Sequence, residues 1–471
     1  MTFPRLWAAL AILLPILGAL IANLSSVDLA YHLRAGGQIL DGGGIPRTDT
    51  WTYTAAGLPW LDQQWGAQAI LATTYRLAGW TGLVVLRAAL VGLLFGLLFL
   101  ACRLRGADLR RAAWLTLAAF FVSAVALALR PQLFGMVLLA GTLLVLAGRH
   151  RWPRLLWLLP VIVAVWANLH GSFFLGPVVV GLAWLEDAHD RVPAARRTLA
   201  IAVLAALAAY ANPFGVEVWS YAVGLSTNSE VTARITEWQP TSLRAIPGIL
   251  FFGSALAVAA LVARQARAVR WATLAWLCVF FVIGVYAIRG VAWWPLGAAY
   301  AVAGLVAKVP SEASAAVRTY RGTTRTNAAI VAALIVAGIL LLPVWRPIDP
   351  GLRAPVGVVG NAPPGVTAAL RDLARPSDRL FNPQTWGSWF EFALPDLPLA
   401  IDSRIEVFPP QVWEDYAAVT GGSVGWESIL DRWGVTIVVV PTDDEALIER
   451  LRAAGWQVSF EDEDGIVFVP S

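Results

Sequence analysis

Long apolar runs separated by polar connections recur along the chain up to residue 345. The length of these runs approaches or reaches the number of residues that a helix needs to cross a hydrocarbon core of roughly 30 Å. The pattern therefore predicts a polytopic α-helical membrane protein with about eleven transmembrane helices. They lie near residues 7–24, 81–102, 112–129, 132–147, 155–168, 172–185, 197–211, 248–263, 271–288, 291–307 and 327–345.

The uncharged stretch 155–185 is open to two interpretations, one long span or two short helices. A single span would move the basic clusters of residues 264–270 and 308–325 to the outer side of the membrane. Connections rich in Lys and Arg normally stay in the cytoplasm. We therefore expect two short helices that separate at "NLHG", residues 168–171.

After a Pro-rich linker, residues 346–364, the pattern becomes that of a soluble domain. "VTAALRDLA" predicts a helix, and "LAIDSRIEV" and "TIVVVP" predict strands. "DEALIERLRAAG" predicts a capped helix ending at Gly455, and "WQVSFEDEDGIVFVP" predicts a hairpin around Asp464 and Gly465. Residues 365–471 are numerous enough for a small α/β domain. The expected domains are a transmembrane domain (1–345), the linker and this C-terminal domain.

Composition agrees with a membrane protein, because 14% of the residues are charged and the mean hydropathy is +0.65, against about 25% charged in soluble domains. Residues 346–471 carry nine Arg against 19 Asp and Glu, whereas the preceding part has a net charge of +14. This basic membrane part with an acidic tail argues against nucleic-acid binding. The two cysteines, Cys102 and Cys278, lie in apolar runs and suggest neither a disulfide framework nor a metal site.

Basic residues also predict the orientation. One alternate set of connections holds 18 Lys and Arg, including Arg110 and Arg321, and the other set holds seven. By the positive-inside rule the first set is cytoplasmic. The N-terminus is then cytoplasmic, and the loops 25–80 and 212–247 and the tail, with Ser423, are outside.

Polar residues that solvent exposure does not easily explain recur at the predicted outer ends of spans. Ionisable groups at membrane depth are costly and are often functional, and Arg130 stands out because Pro131 alone separates it from the next span. Several of these residues, and Arg87 inside the second span, also have a plainer explanation. Arg130 and Arg87 would snorkel, His170 would hydrogen-bond a helix end, Asp28 would be an N-cap, and Glu237 would mark the aqueous interface. The set is Asp28, His32, Arg34, Arg130, Gln132, Asn168, His170, Asn212, Glu237 and Arg289.

These features together resemble the GT-C glycosyltransferases, membrane enzymes that take a sugar from a polyprenyl-phosphate carrier. The resemblance rests on an acidic residue just after the first span, a long first outer loop, about eleven spans and an outer C-terminal domain. A poorly characterised bacterial branch shares "DLAYHLRAGGQILDGGGIPRTDTWTYTAAGLPW", "RPQLFG", "WANLHGSFFLG", "NPFG", "EWQP" and "FNPQTWGSW…AIDSRIEVF". The resemblance implies a catalytic role for Asp28. Many members have two near-adjacent acids there, but Leu29 and Ala30 follow Asp28, so a second acid would be Asp49, Asp62 or Glu237.

The chemistry of such a transfer suits these residue types. A carboxylate can deprotonate an acceptor hydroxyl, and the planar donors of Arg match phosphate oxygens. We therefore expect Asp28 to be the general base of a sugar transfer to an outer envelope glycan, lipid or protein in a bacterial cytoplasmic membrane. Participation of a divalent metal stays open. The residues expected to bind substrate or phosphate are His32, Arg130, Gln132, His170, Glu237 and Arg289.

Two other functions stay open at this stage. A lipid or polysaccharide transporter would show polar residues near the bilayer midplane and an internal repeat, whereas these spans are almost free of ionisable groups. A non-catalytic scaffold in envelope assembly would need only the outer domain. That Asp28 has no second acid next to it keeps that hypothesis open.

Overall fold

The computed structural model describes residues 1–227, 235–307 and 323–471, which form two compact units. The helical unit comprises Met1–Ala22 and Val84–Leu342, and the mixed unit comprises Asn23–Leu83 and Pro343–Ser471. The expected domain boundaries differ from this division, because the first loop folds with the tail and the linker 346–364 is part of the same unit. Arg234, Lys308, Arg318 and Arg321 lie outside the described residues.

Helices correspond to all eleven predicted apolar runs. Five described helices are long and apolar enough to cross a membrane: Phe3–Ile21, Trp65–Leu104, Leu109–Ala126, Gly171–His189 and Ile246–Arg264. Shorter apolar helices cover Pro131–Ala147, Pro153–Leu169, Trp271–Tyr286 and Thr324–Leu340. The α-helices that lie wholly or partly in the helical unit are α1 (Phe3–Ile21), α3 (Trp65–Leu104), α4 (Leu109–Ser123), α5 (Pro131–Ala147), α6 (Leu158–Leu169), α7 (Leu175–His189), α8 (Ala195–Ala208), α9 (Glu217–Thr227), α10 (Ile246–Arg264), α11 (Trp271–Tyr286), α12 (Trp294–Val306) and α13 (Thr323–Leu340).

Local chemistry explains several helix ends. Pro131 begins α5, where its missing N–H costs nothing and its fixed φ suits a first turn. The Asp108 carboxylate accepts a hydrogen bond from the Arg111 N–H at 2.9 Å and caps α4. Helix α6 ends at Leu169 because His170 is extended, with φ −162° and ψ 142°. The stretch 155–185 therefore forms two helices, as expected from "NLHG".

Helix α3 is interrupted at Gly79, where φ is +58°. Side chains with a Cβ disfavour positive φ, and glycine tolerates it. The predicted span starts at residue 81, just after this interruption. The first part of α3 belongs to the mixed unit, and the part from Val84 onward belongs to the helical unit.

The mixed unit contains a four-stranded sheet with helices. Its strand order is β3–β4–β6–β5; β3 and β4 are parallel, and the other neighbours are antiparallel. "TIVVVP" contains the buried strand β4, and the predicted hairpin is β5–β6. The strands are β1 (Ile348–Asp349), β2 (Ala354–Pro355), β3 (Leu380–Phe381), β4 (Ile437–Pro441), β5 (Gln457–Glu461) and β6 (Gly465–Val469). The helices are α2 (Leu29–Gln38), α14 (Pro364–Leu373), α15 (Gln384–Ala393), α16 (Pro410–Gly421), α17 (Trp426–Trp433) and α18 (Glu445–Ala453).

The strand predicted from "LAIDSRIEV" is wrong. Leu399 makes only isolated bridges, to Thr52 and to Leu380, and a 3₁₀ turn covers Ile405–Val407. The Asp402 carboxylate accepts a hydrogen bond from the Arg404 N–H at 2.6 Å. This local bond, made by a side chain that competes with sheet hydrogen bonding, folds the segment into a turn.

The first loop and the tail share one hydrophobic core. Tyr31, Trp51 and Trp60 from the loop belong to the same buried cluster as Phe381 and Phe468 from the tail. Helix α2 packs against α15. Because each segment covers the apolar surface of the other, the mixed unit needs both segments to fold.

Candidate functional site

Arg130 and Glu237 form a two-pronged ion pair in the helical unit. Arg130 immediately precedes Pro131 and occupies the N-cap position of α5, which directs it to the helix end. Its Nη1 donates to Glu237 Oε2 at 3.0 Å, and its Nη2 donates to Oε1 at 2.7 Å. Such bidentate pairing fixes orientation as well as charge. The arrangement joins two of the residues expected at a site.

Arg289 completes this cluster from the turn that follows α11. Its Nε lies 3.9 Å from Glu237 Oε2, and its guanidinium lies over the Trp238 ring at 5.4 Å. Gln132 donates from Nε2 to the Arg289 carbonyl at 3.4 Å. We call Arg130, Gln132, Glu237 and Arg289 the arginine cluster. Four predicted site residues therefore meet at one place.

The arginine cluster carries a surplus positive charge. Burial raises the pKa of Glu237, but the guanidinium groups of Arg130 and Arg289 hold it below its usual range. Glu237 is therefore ionised at neutral pH, and two cations face one anion. The side chains of Arg130, Glu237 and Arg289 are 13%, 38% and 24% exposed. A partly exposed guanidinium group that keeps donors for an oxyanion is suited to phosphate.

The sequence predicts that Arg87 snorkels, but in the structure it does not. Its Nη2 donates to the carbonyl oxygens of Ala19 and Ala22 at the end of α1, and the residue is 2% exposed. Carbonyl groups in the last turn of a helix lack partners within the helix, and a cation there also interacts favourably with the helix dipole. Arg87 therefore ties α3 to α1.

His170 stabilises the break between α6 and α7. Its Nδ1 accepts a hydrogen bond from the Ser172 N–H at 3.1 Å and lies 2.7 Å from Ser172 Oγ. The neighbouring Gly135 leaves room for this turn, since a Cβ there would lie 2.8 Å from Ser172 Oγ. This geometry agrees with the helix-end explanation of His170.

Asp28 lies at the start of α2 in the mixed unit. Its φ of −81° and ψ of −21° are already helical, and its side chain makes no capping hydrogen bond. An N-cap residue would usually be extended and accept a bond from the backbone. The N-cap explanation of Asp28 is therefore wrong. The side chain is half-buried, so part of its surface faces solvent.

His32 and Asp62 are linked through Gln68. Gln68 Nε2 donates to Asp62 Oδ1 at 2.7 Å and lies 3.3 Å from His32 Nδ1. Burial raises the pKa of Asp62 to about 7. At 1% exposure, His32 offers almost no surface to a ligand. Both residues thus lie in the interior of the mixed unit.

Asp49, another candidate for the second acid, lies in a buried ion cluster. Its Oδ1 accepts from Arg404 Nη2 at 2.6 Å, and its Oδ2 accepts from Thr52 Oγ1 at 2.7 Å. Arg404 also pairs with Asp402 and with Glu391. These contacts join the first loop to the tail and engage both oxygens of Asp49 in the core. We call Asp49, Glu391, Asp402 and Arg404 the buried ion cluster.

Glu406 is an acid near Asp28 that the sequence interpretation did not single out. Its side chain is solvent-accessible, yet enough protein surrounds it that desolvation raises its pKa. Arg404 opposes this shift of the Glu406 pKa, and the negative charges of Asp402 and Asp28 add to it. Glu406 lies in "AIDSRIEVF", which the resemblance includes, but nothing in the sequence indicates its proximity to Asp28. The mixed unit thus contains two carboxylates, Asp28 and Glu406, whose charges interact.

Over residues 1–227, 235–307 and 323–471, no three His, Cys, Asp or Glu side chains are grouped as metal ligands.

Comparison with known proteins gives a fold. No family model matches the chain, and no curated protein matches its sequence. Two similar solved structures are the oligosaccharyltransferase of Archaeoglobus fulgidus, tethered with an acceptor peptide, and the arabinofuranosyltransferase AftD from Mycobacteria. The first has 12% identity and a TM-score of 0.53 and is matched over 99% of this chain and 74% of its own. AftD has 18% identity and a TM-score of 0.56, and the match covers 99% of this chain and 41% of AftD.

At these identities the similarity establishes the fold. The GT-C resemblance expected from the sequence is confirmed at that level, because a match of 99% includes both units. Both solved proteins are glycosyltransferases of this membrane type. A shared fold does not fix the chemistry, which depends on the residues of the site in this chain.

Proposed function

We propose that this protein is an integral-membrane glycosyltransferase that moves a sugar from a polyprenyl-phosphate carrier to an acceptor on the outer face of a bacterial cytoplasmic membrane. The observation that carries the proposal is the arginine cluster at the ends of apolar helices, in a chain with a GT-C fold. A lipid-linked phosphate would remain near the membrane surface. Arg289, beside the Arg130–Glu237 pair, would bind its oxygens.

The reaction needs a base and a stabilised leaving group. The acceptor oxygen attacks the anomeric carbon, while the bond from that carbon to the phosphate oxygen breaks and leaves its electron pair on the phosphate. Asp28 takes the hydroxyl proton, and the two guanidinium groups stabilise the charge on the departing phosphate. Attack from the side opposite the phosphate inverts the anomeric centre.

Glu406 is our choice for the second acid in place of Asp49, Asp62 and Glu237. Asp49 is engaged by Arg404 and Thr52, Asp62 is buried, and Glu237 is paired with Arg130. A neighbouring anion disfavours ionisation of a carboxylate and so strengthens it as a base. Glu406 would act on Asp28 in this way.

The proposal includes a topology with eleven spans, a cytoplasmic N-terminus and the mixed unit outside. The helices that coincide with the eleven apolar runs support the number of spans, and the distribution of basic residues supports the orientation. The start of α5, with Arg130, and the turn after α11, with Arg289, would then lie on the outer side of the membrane. Transfer to an outer acceptor requires the phosphate site to be on that side.

Transfer by the purified protein in lipid nanodiscs tests the function. The donors are tritiated mannose, glucose and arabinofuranose, each on undecaprenyl phosphate, and the acceptor is an envelope extract from cells that lack the protein. We expect transfer from one donor and a decrease of about 10²–10⁴-fold in Asp28→Asn, the usual contribution of a general base. The control is Asp396→Asn, because Asp396 is an exposed acid of the same unit. Absence of transfer from every donor, or a fully active Asp28→Asn protein, would refute the proposal.

A further inference from the structure

A cleft of about 540 Å³ opens in the mixed unit beside the C-terminal half of α2. Its walls come from α2, the first part of α3, the first loop and α15. Small-molecule sites commonly have volumes of about 300–1,000 Å³. Asp28 begins α2, and ten helical residues span about 15 Å, so Asp41 and Asp28 lie near opposite ends of this helix. The cleft is therefore separate from the proposed base.

The rim of the cleft carries an exposed ion pair. Arg76 Nη2 donates to Asp41 Oδ2 at 2.8 Å, and the two side chains are 43% and 68% exposed. Arg76 also donates to the Gly37 carbonyl at 3.1 Å, which directs its guanidinium along the cleft wall. Fixed donors and acceptors thus lie side by side and in contact with solvent.

Aromatic rings line the wall beside this pair. Tyr75 and Phe392 pack edge to face with ring centroids 5.5 Å apart, and Trp51 lies under the Arg34 guanidinium at 4.8 Å. Arg34 Nη1 and Nη2 each donate at 3.0 Å to a backbone carbonyl, of Glu391 and of Pro395. These two bonds engage Arg34 in holding the wall, so Arg76 and Asp41 are the charged groups that offer exposed atoms to a ligand.

We propose that this cleft binds a neutral saccharide segment of the acceptor. Two adjacent hydroxyl groups of a sugar would donate to Asp41 and accept from Arg76, and the C–H face of the ring would lie against the aromatic wall. Charge-assisted hydrogen bonds of this kind are stronger than neutral ones. Because the charges of Arg76 and Asp41 neutralise each other, the rim favours a ligand with neutral hydroxyl groups over a charged ligand. The role as acceptor site rests on the proposed glycosyltransferase function.

Binding can be measured without any turnover. The full chain, purified in nanodiscs and carrying Asp28→Asn, is titrated with mannotriose, galactotriose and arabinotriose, and with trigalacturonate as the anionic probe, while Trp fluorescence and saturation-transfer NMR are recorded. We expect at least one neutral trisaccharide to bind. Asp41→Asn and Arg76→Gln should each weaken this binding about tenfold, the loss expected for a hydrogen bond to a charged group.

Arg452→Gln is the matched control, because Arg452 forms a similarly exposed pair with Glu461 in the same unit, with side chains 52% and 53% exposed. It should bind the trisaccharide like the parent. The proposal is overturned if no neutral trisaccharide binds, if only trigalacturonate binds, or if both rim variants bind like the control. Binding by a protein whose parent never transfers sugar would refute the glycosyltransferase function and leave the cleft assignment intact.

Discussion

Replacement of Arg404 by Gln removes the only basic member of the buried ion cluster. Arg404 Nη2 reaches Asp49 at 2.6 Å and Glu391 at 3.4 Å, and the guanidinium also contacts Asp402. Its Cζ lies 4.3 Å from the centre of the Trp51 ring and 4.5 Å from that of Trp60. All four charged side chains are 0% exposed. The variant would therefore leave three buried acids without this cation and two rings without their stacking partner.

Removal of one partner from a buried ion pair typically costs about 3–5 kcal/mol. For a unit of this size, each kcal/mol shifts the midpoint of thermal unfolding by about 2–4 °C. We therefore expect the mixed unit of Arg404→Gln to unfold roughly 6–20 °C below the parent. Arg432→Gln is the control, because Arg432 pairs with Asp415 at the surface with a side chain 56% exposed, and such pairs contribute about 0–1 kcal/mol.

The loss should also depend on pH. Burial and the neighbouring Asp402 raise the pKa of Glu391 well above its usual range, so the folded state keeps a proton there that the unfolded state releases. This group lowers stability as the pH rises above about 4.3, the usual Glu value. Burial also raises the pKa of Asp402, but Arg404 holds it below its usual range. That contribution is present above the usual Asp value and is lost as the pH falls through the lowered pKa. Without Arg404, the pKa of Asp402 should rise, and acid should then protonate Asp402 in the folded variant.

Differential scanning fluorimetry on intrinsic Trp emission measures both effects, since Trp51 and Trp60 report on the cluster. The difference in midpoint between the parent and Arg404→Gln should be smaller at pH 5 than at pH 8. Arg404→Lys should recover part of the loss, because Lys keeps the charge but lacks the planar donors. A midpoint equal to that of Arg432→Gln, or a deficit that is the same at both pH values, would refute this account of the core.

Three further predictions concern other parts of the chain. Arg289→Gln and Arg130→Gln should each weaken binding of undecaprenyl phosphate about tenfold or more in native mass spectrometry. The control is Arg270→Gln, at the other end of α11, which should bind the lipid like the parent. Equal binding by all three variants would mean that Arg130 only snorkels. Asp62→Asn should raise the unfolding midpoint more at pH 8 than at pH 5. Burial raises the pKa of Asp62 to about 7, so Asp62 costs stability increasingly as the pH rises from the usual Asp value of about 3.9 to about 7, and the full cost is present at pH 8. A gain that is equal at both pH values would contradict this. An impermeant maleimide should label Ser423→Cys and not Arg110→Cys in intact cells of a Cys102→Ala, Cys278→Ala background, and labelling at position 110 would contradict the orientation.

The local elements were predictable from the sequence because their signals are short-range. Apolar runs gave the helices, His170 ended a helix where "NLHG" suggested a break, and Asp464 with Gly465 marked the turn of a hairpin. Asp28 and the members of the arginine cluster also stood out, because charged and polar groups are conspicuous in a chain with so few. The pairing of Arg130 with Glu237 was not predictable, since 107 positions separate them in the chain.

Long-range partnership explains the rest of what was missed. The first loop folds with a tail more than 300 positions away, as the bond from Arg404 to Asp49 shows, with a separation of 355. "LAIDSRIEV" has a strand-like alternation, but buried Arg404 and Asp402 override it with a turn. Arg87 resembles a snorkelling residue until the carbonyl groups of α1 are known to lie beside it. Each case depends on a contact that a linear pattern does not encode.

A structure of the protein in nanodiscs, solved by cryo-electron microscopy with a non-cleavable undecaprenyl phosphonate sugar analogue, tests the central claim most directly. The account predicts that the phosphonate oxygens lie within about 3 Å of the guanidinium nitrogens of Arg289 or Arg130, the distance of a charge-assisted hydrogen bond. A phosphonate bound away from both arginines would contradict the account.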